Sequence, residues 1–317
     1  MVKKIALITG GTGQIGSYQA QFLLRKNYKV YVTTRKLKLN NNLKKLNIIK
    51  KVNIITTSFK NKTEITKIIK SIRPNEIYFY SGISQIANTI KNPKETMFHN
   101  YQICKNFINV IKKNLPDCIF FNANSIQIYG NTKKKIKLNN RNFQPNTPYA
   151  KAKLKSFLLL QDYRKRFHLK LFNGLFLNTE SVLRPKFYVL SKICYFVSKI
   201  SNKTKKKLPL GNINIKRDWG WCEEYVKIVW KYIQGKPGDF IIGTGKSYSL
   251  KQMIKFAFKK YNYEWQKYIN IKKNLTRKFE IQNIQADVKD TIKKTGITPK
   301  IYGAKLIYKL LHHYQNE

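Results

Sequence analysis

Acidic residues are scarce. The 317-residue chain has 15 Asp and Glu against 63 Lys and Arg, a formal net charge of +48. The excess is spread along the whole chain rather than gathered in one arm or helix, which argues against a nucleic-acid partner read through a basic patch. Arginine is scarce as well, at nine residues. Heavy use of lysine, asparagine, isoleucine, tyrosine and phenylalanine fits a compositional bias with a solvated lysine surface. Apolar runs of membrane-spanning length are missing, so no membrane span is expected. The opening Met1-Val2-Lys3-Lys4 leads into an apolar run too short for the core of a signal peptide. The cysteines (Cys104, Cys118, Cys194 and Cys222) have no paired spacing. With no CxxC or HxxxH pattern, no zinc site is expected, and reduced thiols in a cytoplasmic protein are. No internal repeat is visible.

What is present is an alternation. Strand patterns over 5–9, 30–34, 52–57, 76–80, 118–122 and 170–177 are separated by helical patterns over 17–26, 63–71 and 96–113, and by a further helix starting near Pro148. Residues 36–51 read as loop or weak helix, and 124–130 and 178–185 as loops. Pro74 and Pro116 interrupt the chain where helices give way to strands. Repeated β-then-α order with short connections implies an α/β fold: a Rossmann-like, doubly wound parallel sheet covered by helices on both faces. After about residue 180 the alternation fades. Helices are expected over 187–199, 222–234, 249–261 and 303–312, a strand over 240–243, and a basic loop over 201–208. The expected division is a dinucleotide-binding domain at 1–180 and a smaller α/β substrate-binding part at 181–317, partly interleaved with the first.

Two short stretches carry chemistry. Gly10, Gly13 and Gly16 directly follow the first strand and open the first helix. That is the setting in which a tight turn lets backbone N–H groups and a helix N-terminus approach a pyrophosphate. At the end of the second strand a site for NAD calls for Asp or Glu, whereas NADP calls for a cation. The strand ends in Thr33-Thr34-Arg35-Lys36, which favours NADP over NAD. The second stretch is Tyr149-Ala150-Lys151-Ala152-Lys153. Tyr149 and Lys153 are one helical turn apart on one face, and a nearby ammonium lowers a phenol's pKa, so the pair suits proton transfer beside a nicotinamide.

With these motifs in place, the chain resembles the extended short-chain dehydrogenase/reductases, and among them the GDP-mannose 4,6-dehydratases. The likeness runs over almost the full length. Its marks are TGGTGQIGS (9–17), NANSIQIYG (122–130), TPYAKAK (147–153), NGLFLNTES with RP (173–185), LGNINIKRDWGWCEEYV (210–226) and IIGTGKSYSL (241–250). The resemblance implies a bound NADP, a GDP-hexose substrate such as GDP-mannose, and a homodimer or homotetramer. Carried over by position, the cofactor would contact Gly10, Thr12, Gly13, Gln14, Ile15 and Gly16, with Arg35 at the adenosine phosphate. Ser58, Ser81, Ser84 and Arg184 would also lie along the cofactor, with Tyr149 and Lys153 at the nicotinamide. The nucleotide sugar would be held by Asn178, Glu180, Lys192, Arg217, Arg277 and Glu280. Arginine's planar fork suits phosphates.

The resemblance also implies the chemistry. Ser125, Tyr149 and Lys153 would support oxidation at the hexose C4, a base would then remove the C5 proton as water leaves C6, and hydride would return to C6. Where the family has its glutamate base, this chain has Gln127, whose amide is not basic near neutral pH. Smaller departures are Ser58, Ile83, Gln85 and Thr179, standing where the family has an acid, a glutamine and two histidines. His99, His168, His312 and His313 match no catalytic position of the family and read as structural or surface residues. Three outcomes stay open: a dehydratase, a GDP-sugar 4-dehydrogenase, epimerase or reductase that does not eliminate water, and a catalytically degenerate nucleotide-sugar-binding protein. A charge of this size should also steer anionic nucleotide sugars inward and repel itself at low salt. The melting temperature is therefore expected to rise clearly as salt is added, as read by differential scanning fluorimetry; a flat response would remove self-repulsion as a factor.

Overall fold

The structure, a computed structural model, describes residues 2–37, 41–132, 134–201, 205–276 and 280–317. Seven parallel strands form the main sheet: β1 (Ile5–Thr9), β2 (Lys29–Thr34), β3 (Asn53–Thr56), β4 (Glu76–Phe79), β5 (Ile119–Ser125), β6 (Leu171–Phe176) and β7 (Asp239–Ile242). Their order is β7-β6-β5-β4-β1-β2-β3. The order reverses direction between β1 and β4, which pair from Ala6↔Glu76 to Thr9↔Phe79. The crevice beyond the strand ends at such a switch point is where doubly wound sheets take their ligands.

Helix α1 (Gln14–Arg25) follows β1, α2 (Lys62–Ile72) follows β3, α3 (Ile103–Asn114) leads into β5, and α4 (Pro148–Phe167) leads into β6. Alternation along the strands divides the core. Leu7, Ile77, Phe79, Phe120 and Leu171 pack with Ile65 and Ile69 of α2, Phe107 and Ile111 of α3 and Leu160 of α4. On the opposite face Phe121 meets the rings of Tyr78, Phe176 and Phe240. Tyr232 stacks on Phe240 at 3.8 Å between centroids.

The segment 96–113, expected as one helix, is subdivided. Pro93–Met97 is α-helical, Phe98–Gln102 is a single π-helical stretch, and α3 follows. Asn100 is buried there, and its amide donates to Ile83 O and Thr96 O. Strand β5 runs to Ser125, past the expected end at 122, because it pairs with β6 through Ser125↔Phe176. The expected loop at 124–130 is instead a strand end and a short 3-10 turn, Ile126–Tyr129.

Two compact units are present. One comprises Met1–Gly130, Asn140–Phe176 and Val226–Ile242, and the other Asn131–Asn139, Leu177–Tyr225 and Gly243–Glu317. Within the stretch around the expected boundary at 180, the first unit ends at Phe176 and the second resumes at Leu177. Asn178–Glu180 is not a loop but a strand, paired in parallel with Trp219–Trp221 inside the second unit. That unit has its own core of Trp219, Trp221, Leu190, Ile193, Val197, Met253, Ile254, Phe258, Leu306 and Leu310. Its helix Leu250–Lys259 begins with a capping box between Ser249 and Gln252. No helix among the described residues is long and apolar enough to cross a membrane. All four cysteines are buried and none forms a disulfide.

A polar network ties β5, β6, β7 and α4 together inside the first unit. Asn122 donates to Asn173 Oδ1 at 3.1 Å, and Asn173 donates to Asp239 Oδ1 at 3.0 Å and to Phe157 O at 3.2 Å. Arg164 Nη1 reaches the same Asp239 oxygen at 3.0 Å. Asn173 is fully buried. Its replacement by alanine strands several buried partners, so Asn173→Ala is expected to lower unfolding stability by ~2–4 kcal/mol. Denaturant titration checks this, and a loss below ~0.5 kcal/mol would show that the network is dispensable.

Candidate functional site

The turn after β1 is shaped by close backbone approach. Gly10 sits at φ +67°, and a Cβ on it would press against Ser81 N at 3.2 Å. Gly16 lies over Gly10 and Gly11, where an added Cβ would overlap the Gly10 carbonyl and stand 2.9 Å from Gly11 Cα. Only glycine lets α1 pack this tightly on the turn. Gly13 is the N-cap of α1 and brings no side chain to it. The first turn of an α-helix presents backbone N–H groups that the helix itself does not use, the kind of position where an anion binds. Around the turn, Thr12 Oγ1 meets Thr34 Oγ1 at 3.1 Å and Asn42 donates to Thr12 O at 3.0 Å. Ser81 N donates to Thr9 Oγ1 at 3.1 Å, which fixes the start of the loop after β4 against the end of β1. These features fit a dinucleotide pyrophosphate. Arg35 follows β2 and is exposed, Ser58 follows β3 half-buried, and Ser84 is exposed in the loop after β4.

The second cluster stands at the carboxyl end of β5. Thr147 caps α4 by accepting from Ala150 N at 3.1 Å, and Pro148 occupies the first helical position. This start places Tyr149 in the first turn and Lys153 in the second. Lys153 is 5% exposed. Its ammonium donates to Ala123 O at 2.7 Å and lies 5.8 Å from the centre of the Tyr149 ring. Burial pushes the Lys153 amine down to about 8. At neutral pH it is still mainly protonated. Ser125 ends β5, with its backbone N–H donating to Asn124 Oδ1 at 2.8 Å and its hydroxyl accepting from Gln127 N at 3.3 Å. Asn124 in turn donates to Lys153 O at 3.0 Å. The fold thus brings Ser125, Tyr149 and Lys153 to one end of β5 and α4, and Gln127 to the adjoining 3-10 turn. Asn124 was not foreseen. The one signal in the sequence that could have found it is an asparagine directly before a candidate catalytic serine.

The remaining sequence-derived positions belong to the second unit. Asn178 begins its strand, its N–H donating to Asp218 O at 3.0 Å. Glu180 is 2% exposed, and its Oε2 stands 3.9 Å from Arg184 Nε. Arg184 also lies 3.5 Å from the centre of the Tyr188 ring. Lys192 donates to Pro209 O at 3.1 Å. Arg217 is engaged with backbone carbonyls, Lys216 O at 2.8 Å together with Ile281 O and Gln282 O. This brings the Arg217 strand beside the segment that begins at Glu280. Arg277 lies outside the described residues. Asp218, next to Arg217, turns the other way: it accepts from Thr244 N and Oγ1 and from Gly245 N. Burial still pushes its carboxyl up to about 6, against those hydrogen bonds. No cluster of three or more His, Cys, Asp or Glu fit to hold a metal exists among the described residues.

The family described as GDP-mannose 4,6 dehydratase matches residues 7–310. A GDP-mannose 4,6-dehydratase of Vibrio cholerae is 31% identical over 81% of this chain and 72% of its own length. GDP-mannose 4,6 dehydratase 1 of Arabidopsis thaliana is 28% identical over 96% and 88%. Among solved structures, a UDP-glucose 4-epimerase of Thermotoga maritima superposes with a TM-score of 0.86 at 17% identity, over 98% of this chain and 99% of its own. A dTDP-glucose 4,6-dehydratase of Streptomyces venezuelae, solved with NAD bound, superposes with a TM-score of 0.86 at 16% identity, over 99% and 97%. At such identities the structural likeness speaks for the fold.

The burial of Glu180 has a measurable consequence. Desolvation pushes its carboxyl up to about 7, Arg184 pulling the other way. The folded protein therefore holds a proton that the unfolded chain has released between the ordinary glutamate range and pH ~7. Stability from this group is complete below the unfolded pKa and falls as pH rises through about 7. Glu180→Gln is expected to flatten that fall and to raise stability at pH 8 relative to the parent by up to ~3 kcal/mol, as read from denaturant midpoints across pH. An unchanged pH profile would mean that the carboxyl is hydrated in solution.

Proposed function

We propose a function from a plain premise: this chain belongs to the GDP-mannose 4,6-dehydratase family. The reading is that the first unit binds NADP along Gly10–Gly16, with Arg35 at the adenosine phosphate, and that the protein oxidises the C4 hydroxyl of a GDP-hexose, GDP-mannose first among candidates. The observation that carries it is the Lys153 ammonium, held between Ala123 O and the Tyr149 ring beside the end of β5. A bound nicotinamide would supply hydride acceptance and return. Tyr149 takes the proton of the C4 hydroxyl, its phenolate favoured by the Lys153 charge. Ser125 orients the same hydroxyl. Asn178, Glu180, Lys192, Arg217, Arg277 and Glu280 hold the nucleotide sugar, and the second unit is its binding domain. The family reading also carries a homodimer or homotetramer and a cytoplasmic location.

A second reading rests on Gln127. The stretch 118–130, which includes β5 and the following turn, contains no Asp or Glu. The position from which the family's base acts therefore offers no proton acceptor at neutral pH. On this reading the chain oxidises or reduces at C4, or binds the nucleotide sugar, without expelling water.

Incubation of the purified protein with NADP and GDP-mannose, followed by mass spectrometry, separates the outcomes. Loss of one water supports the dehydratase, and hydride exchange at C4 with water retained supports the second reading. Binding with neither reduces the protein to a nucleotide-sugar binder. Tyr149→Phe is expected to lower any turnover by about 10²–10⁴-fold. Gln127→Glu is expected to raise water loss. If it does not, the missing carboxylate is not what limits the reaction.

A further inference from the structure

The one arginine that follows β2 faces an acid. Arg35 Nη1 stands 3.9 Å from Glu95 Oε1, and the same oxygen is 3.5 Å from His99 Nε2, one helical turn on. Arg35 and Glu95 are both solvated, with side chains 63% and 49% exposed. Glu95 sits on a braced segment. Its neighbour Thr96 is buried and donates to Asn92 O at 2.8 Å, while Asn100 donates to Thr96 O at 3.0 Å. The carboxylate is thus held on structure, and the arginine reaches it from the end of a strand. In a chain with 15 acids and 63 bases, an acid set against this particular cation is not what composition alone supplies.

We infer that Glu95 is a specificity-determining residue for the dinucleotide: it engages the Arg35 guanidinium and opposes an incoming adenosine 2′-phosphate, so that NADP and NAD compete somewhat more evenly than Arg35 alone would dictate. This rests on the reading above that Arg35 faces the adenosine phosphate. A phosphomonoester brings about −1.5 to −2 charges at neutral pH, and a carboxylate within a few ångströms of its cationic partner repels it. The dinucleotide without that phosphate meets no such repulsion. Solvent exposure keeps the effect modest, on the order of three- to tenfold in affinity.

The test is calorimetric titration of NADP and NAD into the full chain and its Glu95→Gln and Arg35→Ala variants. Glu95→Gln is expected to tighten NADP by roughly three- to tenfold and to leave NAD within about twofold, with the gain shrinking at high salt. Arg35→Ala is expected to weaken NADP selectively. If Arg35→Ala weakens NADP but Glu95→Gln leaves the NADP-to-NAD ratio unchanged, the role of Glu95 is overturned and the placement of Arg35 stands. Equal shifts for both dinucleotides on Glu95→Gln overturn it too, because they mark a general charge effect. If Arg35→Ala leaves NADP binding untouched, the placement of Arg35 itself fails, and the inference with it.

Discussion

The buried ammonium of Lys153 is the constraint around which the first unit is built. A charge taken out of water is tolerated only where hydrogen bonds replace its hydration. Here the replacement is the Ala123 carbonyl at the end of β5. That bond holds only if β5 and α4 keep one register. Asn122, Asn124 and Ser156 enforce it, with Asn124 reaching Lys153 O and both asparagines reaching the Ser156 hydroxyl. The Tyr149 and Lys153 pair is therefore not an ornament on a finished fold. Its position follows from the same buried contacts that join the strand to the helix.

The glycine turn imposes a second constraint of a different kind. It works by excluding side chains rather than by placing them. Gly16 must lie on Gly10 for α1 to start where it does, and Gly13, as N-cap, brings no side chain over that start. The two constraints meet the sheet on either side of its switch point, through β1 on one side and through β4 and β5 on the other.

Charge is distributed in a way that the total conceals. Several of the few acids are buried: Glu76, Glu180 and Asp218 are each at most 2% exposed. Each has its own local surroundings, with Tyr28 and Tyr78 donating to Glu76, Thr244 and Gly245 to Asp218, and Arg184 near Glu180. The acids left at the surface are fewer still, so the solvent-facing charge is more one-sided than the composition suggests.

By itself the sequence determined the alternating strands and helices, the glycine turn and the one-turn spacing of Tyr149 and Lys153. These are local matters of period, backbone freedom and helical geometry. It also marked Gln127 as a departure, because the chemistry of a side chain is legible without its neighbours. Tertiary structure decided the rest. The π-helical stretch at Phe98–Gln102 and the strand at Asn178–Glu180 have no periodic signature; a buried asparagine accompanies one, and pairing with a segment some forty residues away, Trp219–Trp221, makes the other. Arg217 and Asp218 are adjacent in sequence, yet the arginine turns to the 281–282 carbonyls and the aspartate to Thr244 and Gly245. Glu95 faces Arg35 only because the chain returns to β2 from the far side of β4. Partners so distant along the chain are chosen by burial and hydrogen-bond satisfaction, which act on the folded molecule and leave no trace in local spacing.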